Sequence, residues 1–195
     1  TIGTSGVKRW DVELAALMAA DAAEPLPLAE PPMPMPLPPG TAITKDTYHA
    51  LRNRDVALRQ SWQRDVTSRN SKVEAAKVEG NTAFRAGNYA GAVDAYTRAI
   101  DSSDGSNVPM APLHVLYANR AAAKLKLSQP AASLNDAILA VELAPLWSKA
   151  HFRVACALKE LGRYSEAKAS LRTLLSMHPD NATALRELEE LEQLD

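Results

Sequence analysis

Few side chains in this sequence could carry out covalent or metal chemistry, and none of them completes a known catalytic motif. The single cysteine, Cys156, lies between Ala155 and Ala157, and this apolar neighbourhood favours a buried packing thiol over a reactive one. His151 has no second metal ligand at a suitable spacing. The sequence also lacks a phosphate-binding glycine loop, an HExxH zinc motif and a nucleophile elbow. We therefore expect neither enzymatic activity nor a cofactor or metal.

Charged residues are the remaining candidates, and their chemistry is binding. The formal net charge is −1 over 195 residues, whereas a nucleic-acid-binding domain is usually basic, so no nucleic-acid partner is expected. Arg and Lys are concentrated in residues 45–77. This segment is either a patch for an acidic partner or a solvated helix face, and we favour the second interpretation. The acidic run at 187–192 is likewise interpreted as a solvated face.

The composition indicates a helical, cytoplasmic protein. Hydrophobic residues make up 46% of the sequence and aromatic residues 5%, and the abundance of Ala and Leu favours helix over sheet. A chain with one cysteine forms no intrachain disulfide, which indicates a reducing compartment. No apolar run approaches the ~20 residues of a membrane span, so no membrane insertion is expected. The sequence begins at Thr1 without a methionine, and we expect a fragment of a longer protein.

The first 43 residues divide into two segments. In residues 1–23, Trp10, Leu14, Leu17 and Met18 share one face of a predicted short amphipathic helix. A helix of this length needs a surface to dock on, either this domain or a partner. Residues 24–43 form a proline-rich linker, in which proline excludes helix and sheet. The linker is a spacer or a ligand for an SH3- or WW-type domain.

Three later stretches repeat one pattern. They begin at Gly87, Ser128 and Gly162, and each has a small residue five positions after its start. Pro145 and Pro179 close two of the repeats and lie 34 positions apart, which is the period of the tetratricopeptide repeat (TPR). The first and second repeats are separated by seven residues more than this period, and the loop 101–109 accommodates the insertion at little cost. The shared positions hold Ala92, Ser133 and Ala167, then Tyr96, Ala137 and Leu171, then Ala99, Ala140 and Leu174.

The predicted fold is all-α: a right-handed superhelical TPR solenoid of three helix-turn-helix repeats and a C-terminal capping helix. A helical extension over 44–70 precedes the TPR domain at 71–195. In the extension, Leu51, Leu58, Trp62 and Val66 share one face. Asn181 is the expected N-cap of the capping helix. The predicted helices of the domain cover 71–86, 89–100, 112–127, 130–143, 147–161, 164–177 and 181–194.

Residues 71–195 resemble the TPR domains of Hsp70/Hsp90 co-chaperones, including those of the Hop type and the axonemal-assembly type. The resemblance lies in KVEGNTAFRAGNYAGAVDAYTRAI, LYANRAAAKLKL and WSKAHFRVACALKELGRYSEA. It implies a cytoplasmic adaptor that binds the C-terminal EEVD tail of Hsp90 or Hsp70 through a dicarboxylate clamp. The residues that match the clamp motif are Lys77, Asn81, Asn119, Lys149 and Arg153.

The spacing of these residues is compatible with that site. Lys77 with Asn81, and Lys149 with Arg153, are i,i+4 pairs, so each pair lies on one face of its helix. A second protein would contact the N-terminal helix or the proline-rich segment. Two alternatives stay open. The domain could be a structural scaffold whose groove holds a non-chaperone segment, or residues 10–18 could fold back into the groove as an autoinhibitory plug.

Overall fold

The computed structural model describes residues 44–103 and 113–193. Within these ranges the chain forms seven α-helices and no β-strand. The short helix predicted over 1–23, the linker at 24–43 and most of the insertion before the third helix lie outside the described residues. The helices are α1 Lys45–Arg85, α2 Tyr89–Ser103, α3 Leu113–Lys126, α4 Pro130–Leu143, α5 Ser148–Glu160, α6 Tyr164–Met177 and α7 Ala182–Glu192.

The first helix differs most from the sequence-based prediction. A helix start was expected at residue 71, but α1 is a single helix of 41 residues. Residues 45–79 contain neither glycine nor proline, so nothing interrupts the backbone hydrogen bonds between the extension and the repeat. The predicted apolar face of the extension is covered only in part, because Val66 is buried whereas Leu58 is 55% exposed.

Each helical hairpin turns at a residue with positive φ. Gly87, Ser128 and Gly162 have φ of 77°, 57° and 73°, and they are the residues at which the three repeats were recognised. After each turn the next amide donates to a carbonyl five residues earlier, as in Asn88 N to Ala83 O at 2.9 Å. This bond satisfies a carbonyl at the end of the preceding helix. Serine at the second turn adopts a conformation that favours glycine.

Small residues allow the helices to pack closely. Ala92, Ser133 and Ala167 are buried, as expected for the shared small position. The pairs α1–α2, α3–α4 and α5–α6 pack as hairpins, and α3 contacts both α1 and α5. The predicted all-α helical-repeat fold is therefore confirmed. Within residues 44–103 and 113–193, no helix combines the length and apolar character that crossing a bilayer requires.

The last helix closes the core. Asn181 Oδ1 accepts a hydrogen bond from Ala184 N at 2.9 Å, so the predicted N-cap is confirmed. The acidic run at 187–192 is largely solvated, as expected, because Glu189, Glu190 and Glu192 are exposed, whereas the Glu187 side chain is 15% exposed. Lys159 Nζ lies 2.7 Å from Glu187 Oε2 and 3.1 Å from Glu190 Oε2. These contacts join α7 to α5, because the i,i+3 spacing of Glu187 and Glu190 puts both carboxylates on one face of α7.

Candidate peptide-binding site

Two of the predicted site residues meet directly. Asn119 Nδ2 donates to Asn81 Oδ1 at 3.4 Å, although the residues are far apart in the sequence. The same oxygen accepts a shorter hydrogen bond from the Tyr96 hydroxyl at 2.7 Å. Asn119 is 2% exposed, and an asparagine this deeply buried needs hydrogen-bonding partners within the protein. The contact therefore fixes two amides on the adjoining helices α1 and α3.

Lys77 lies one turn before Asn81 on α1. Its side chain is 11% exposed, and Nζ lies 2.9 Å from Glu74 Oε2, one turn earlier on the same helix. Glu74 itself is 59% exposed. Because the ion pair is local and its acid is largely solvated, it contributes little to stability. A carboxylate arriving from outside the chain can therefore compete with Glu74 for the ammonium group.

The other two cations lie on α5. Arg153 is 3% exposed and Lys149 is half-buried, with Nζ 5.9 Å from the centre of the Trp147 ring. His151, which lies between them, bonds through Nε2 to Pro145 O at 2.8 Å. It thus connects α5 to the turn before it. Lys149 and Arg153 are one turn apart, so one face of α5 carries both positive charges.

Alanine packing brings α5 close to α3. Ala118, which precedes Asn119, and Ala150, which follows Lys149, form one buried cluster with Ala140 of α4. Side chains of this size let the helix backbones approach closely. The structure thus joins Asn81 to Asn119 directly and places Lys77 and the α5 cations on the two helices that flank α3.

A buried ion cluster beside Asn119 was missed in the sequence analysis. Arg120 donates to both oxygens of Asp136, each bond 2.8 Å long, and to Thr97 Oγ1 at 3.0 Å. Lys124 Nζ lies 2.7 Å from Asp136 Oδ2. Burial alone would lower the pKa of Arg120, but the hydrogen bonds and charge of Asp136 outweigh it and raise the pKa. The cluster connects α2, α3 and α4.

A signal for this cluster was present in the sequence. The helix α4 is strongly apolar, and Asp136 and Glu142 are its only charged residues. Asp136 precedes Ala137, one of the shared core positions of the repeat, and is 3% exposed. A buried acid needs cationic partners, but the sequence does not say which cation in the chain supplies them.

The thiol near the site is protected from ionisation. Burial raises the pKa of Cys156 to about 12, although the nearby charge of Arg153 acts in the opposite direction. The thiolate is the reactive form of cysteine. These surroundings agree with the expected packing role of Cys156.

Comparison with known proteins identifies the family. The family described as "Tetratricopeptide repeat" matches residues 69–146 and 152–188. This is more than half of the chain, and the protein belongs to the tetratricopeptide repeat family.

Individual relatives and structures agree with this assignment. The Protein STIP1 homolog of Dictyostelium discoideum is 41% identical over 105 residues, which are 54% of this chain and 17% of that protein. The chain thus spans less than a fifth of this relative. The first TPR of Spaghetti (RPAP3), bound to the HSP90 peptide SRMEEVD, is 32% identical with a TM-score of 0.58, covering 64% of this chain and 96% of that one. The second TPR domain of human RPAP3, in complex with the HSP70 peptide SGPTIEEVD, is 34% identical with a TM-score of 0.57, covering 64% and 98%.

Proposed function

We propose that this domain is a co-chaperone adaptor that binds the C-terminal EEVD tail of Hsp90 or Hsp70. The contact between Asn81 and Asn119, with cations on both flanking helices, supports the proposal most directly. Two TPR domains of similar fold are bound to EEVD peptides. The proposed site consists of Lys77, Asn81, Asn119, Lys149 and Arg153.

The chemistry of the tail suits these residues. A peptide that ends in aspartate carries two carboxylates a few ångströms apart, one on the side chain and one at the terminus. Arg153 can donate to a carboxylate through two parallel N–H groups, whereas a lysine acts as a point charge. The amides of Asn81 and Asn119 add uncharged donors. Because Lys77 and Arg153 are largely shielded from water, their charge-assisted bonds should be stronger than those of surface lysines.

The rest of the assignment follows from the same proposal. Binding, not catalysis, is the proposed activity, and the cytoplasm is the proposed location. We retain residues 71–195 as the TPR unit and residues 44–70 as its helical extension. Residues 1–23 and 24–43 remain the proposed contact for a client or second complex.

The test is a calorimetric titration of the 195-residue chain with the peptides SRMEEVD and SGPTIEEVD. We expect both peptides to bind and the ratio of their dissociation constants to reveal the preferred chaperone. A C-terminally amidated peptide loses the terminal carboxylate, and it should bind at least about tenfold more weakly. Raising the salt concentration should also weaken binding, since ion pairs contribute much of the affinity.

Matched lysine variants locate the site. Lys77→Ala and Lys149→Ala should each weaken binding about tenfold, the value of one charge-assisted hydrogen bond. Lys72→Ala removes an equal charge from an exposed position on α1 and should leave the affinity nearly unchanged. Equal losses in all three variants would indicate general charge attraction and not a clamp. Absence of binding by the unmodified chain would favour the scaffold hypothesis.

A further inference from the structure

We propose that Tyr96 is a positioning residue that, together with Asn119, holds the Asn81 carboxamide in the orientation that peptide binding requires. The inference rests on the proposed function, because it concerns how one residue of that site is presented. Tyr96 lies on α2 and is completely buried. It acts on the ligand only through Asn81.

The orientation matters because the two ends of a carboxamide have opposite roles. Nδ2 donates hydrogen bonds, whereas Oδ1 only accepts them. A peptide carboxylate has no proton to give at neutral pH, so it can bond to Nδ2 but not to Oδ1. Rotation of the amide by 180° would replace an attractive contact with repulsion between two oxygens.

Two donors converge on Asn81 Oδ1 and keep it away from the ligand. The Tyr96 hydroxyl donates at 2.7 Å and Asn119 Nδ2 at 3.4 Å. The phenol bond is the shorter and its donor side chain is completely buried, so it contributes more. In the rotated amide the Tyr96 hydroxyl can still accept from Asn81 Nδ2, but Asn81 Nδ2 would then face Asn119 Nδ2, and these two donors would meet without an acceptor. Asn119 thus selects the orientation of the amide, and the shorter bond from Tyr96 holds the amide in place.

Gly80 makes this hydrogen bond geometrically possible. A Cβ atom at this position would lie 2.6 Å from Tyr96 Cε1 and 2.9 Å from Cζ, inside van der Waals contact. The absence of that atom lets the ring lie against the backbone of α1, next to Asn81. The residue before Asn81 thus determines how closely the hydroxyl approaches.

The hydroxyl of Tyr96 is not a feature of the repeat's shared core. The equivalent positions in the second and third repeats hold Ala137 and Leu171, which are also buried and carry no donor. The hydroxyl occurs in the one repeat whose first helix carries Asn81. This correspondence indicates a role in the site beyond filling the core.

The test is a double-mutant cycle on the full chain, with SRMEEVD as the probe. Tyr96→Phe removes only the hydroxyl and should weaken binding about three- to tenfold, the range of one neutral hydrogen bond. In an Asn81→Ala background the same change should have almost no further effect. Tyr89→Phe is the control, because it removes a hydroxyl from a ring that packs against Phe84.

Each outcome decides the question. Unchanged affinity in Tyr96→Phe, or an equal loss in the Asn81→Ala background, would overturn the positioning role and leave the clamp intact. Absence of binding by the unmodified chain would overturn both proposals. If Tyr96→Phe does not fold, NMR of the unmodified chain without peptide still tests the hydrogen bond. The hydroxyl proton of Tyr96 should give a slowly exchanging NMR signal with a cross-peak to the side-chain amide of Asn119, and a rapidly exchanging proton would refute the hydrogen bond.

Discussion

Replacement of Asp136 by alanine is the sharpest test of how the helices are held together. Asp136 accepts two hydrogen bonds from Arg120 and forms an ion pair with Lys124. Its side chain is 5% exposed, against 15% for Arg120 and 18% for Lys124. The variant Asp136→Ala leaves two cations close together in a largely buried position, with no acid to neutralise them.

The size of the effect follows from this burial. Removal of one partner from a buried ion pair typically costs about 3–5 kcal/mol. Here both cations keep some access to solvent and can turn towards it, so we expect a loss of about 2–4 kcal/mol. For a chain of this length the corresponding fall in melting temperature is about 6–12 °C. A surface ion pair would account for less than about 1 kcal/mol.

Thermal and urea unfolding monitored by circular dichroism measure the loss. Glu142→Ala provides the control, because it removes an exposed acid from the same helix and should change stability by no more than about 0.5 kcal/mol. If Asp136→Ala is no more destabilising than Glu142→Ala, the buried cluster does not hold α2, α3 and α4 together, and the reasoning from burial fails.

Three further predictions concern Gly80, Ser128 and Cys156. Gly80→Ala should lower the free energy of unfolding in urea by about 1–3 kcal/mol, because its Cβ would overlap the buried ring of Tyr96; an unchanged or higher stability would mean that the ring can move. Ser128→Gly should stabilise the chain by about 0.5–1 kcal/mol in the same assay, because φ is 57° at this turn, and an unchanged midpoint would contradict it. The Cys156 thiol should react with iodoacetamide far more slowly at pH 8 than in urea-unfolded chain, since a pKa of about 12 in place of 9.0 lowers the thiolate fraction about 1000-fold. Because burial raises this pKa in the folded state, the part of the free energy of unfolding that depends on a protonated thiol is fully present below pH 9 and is lost as the pH rises towards 12. Labelling at equal rates in the folded and unfolded chains would refute the protection.

The repeat architecture was predictable because its signals are local. Gly87 and Gly162 mark turns, Pro145 and Pro179 follow the helix ends, and the small residues recur at fixed offsets. Hydrogen bonds within a helix or turn join residues at most five positions apart, so a sequence pattern is sufficient to place them. The residues of the proposed clamp were matched to short motifs through the resemblance of residues 71–195 to co-chaperone TPR domains.

The length of α1 was harder to predict, although it also depends on local sequence. Asn70 and Ser71 have modest helix propensity, and the repeat pattern begins near them. In the structure the helix continues through both residues, because weak local preferences are outweighed when the flanking turns are helical.

Tertiary structure alone decided which side chains meet. The sequence contains Asp136 and several cations, but only the packing of α3 on α4 selects Arg120 and Lys124 as its partners. In the same way, only the packing of α2 on α1 brings the Tyr96 hydroxyl to Asn81. These contacts join residues that are many positions apart, and their geometry depends on helix-to-helix distances that no local spacing encodes. The sequence by itself thus determined the helices, their turns and the candidate residues, and the close packing of small side chains decided how those residues are paired and oriented.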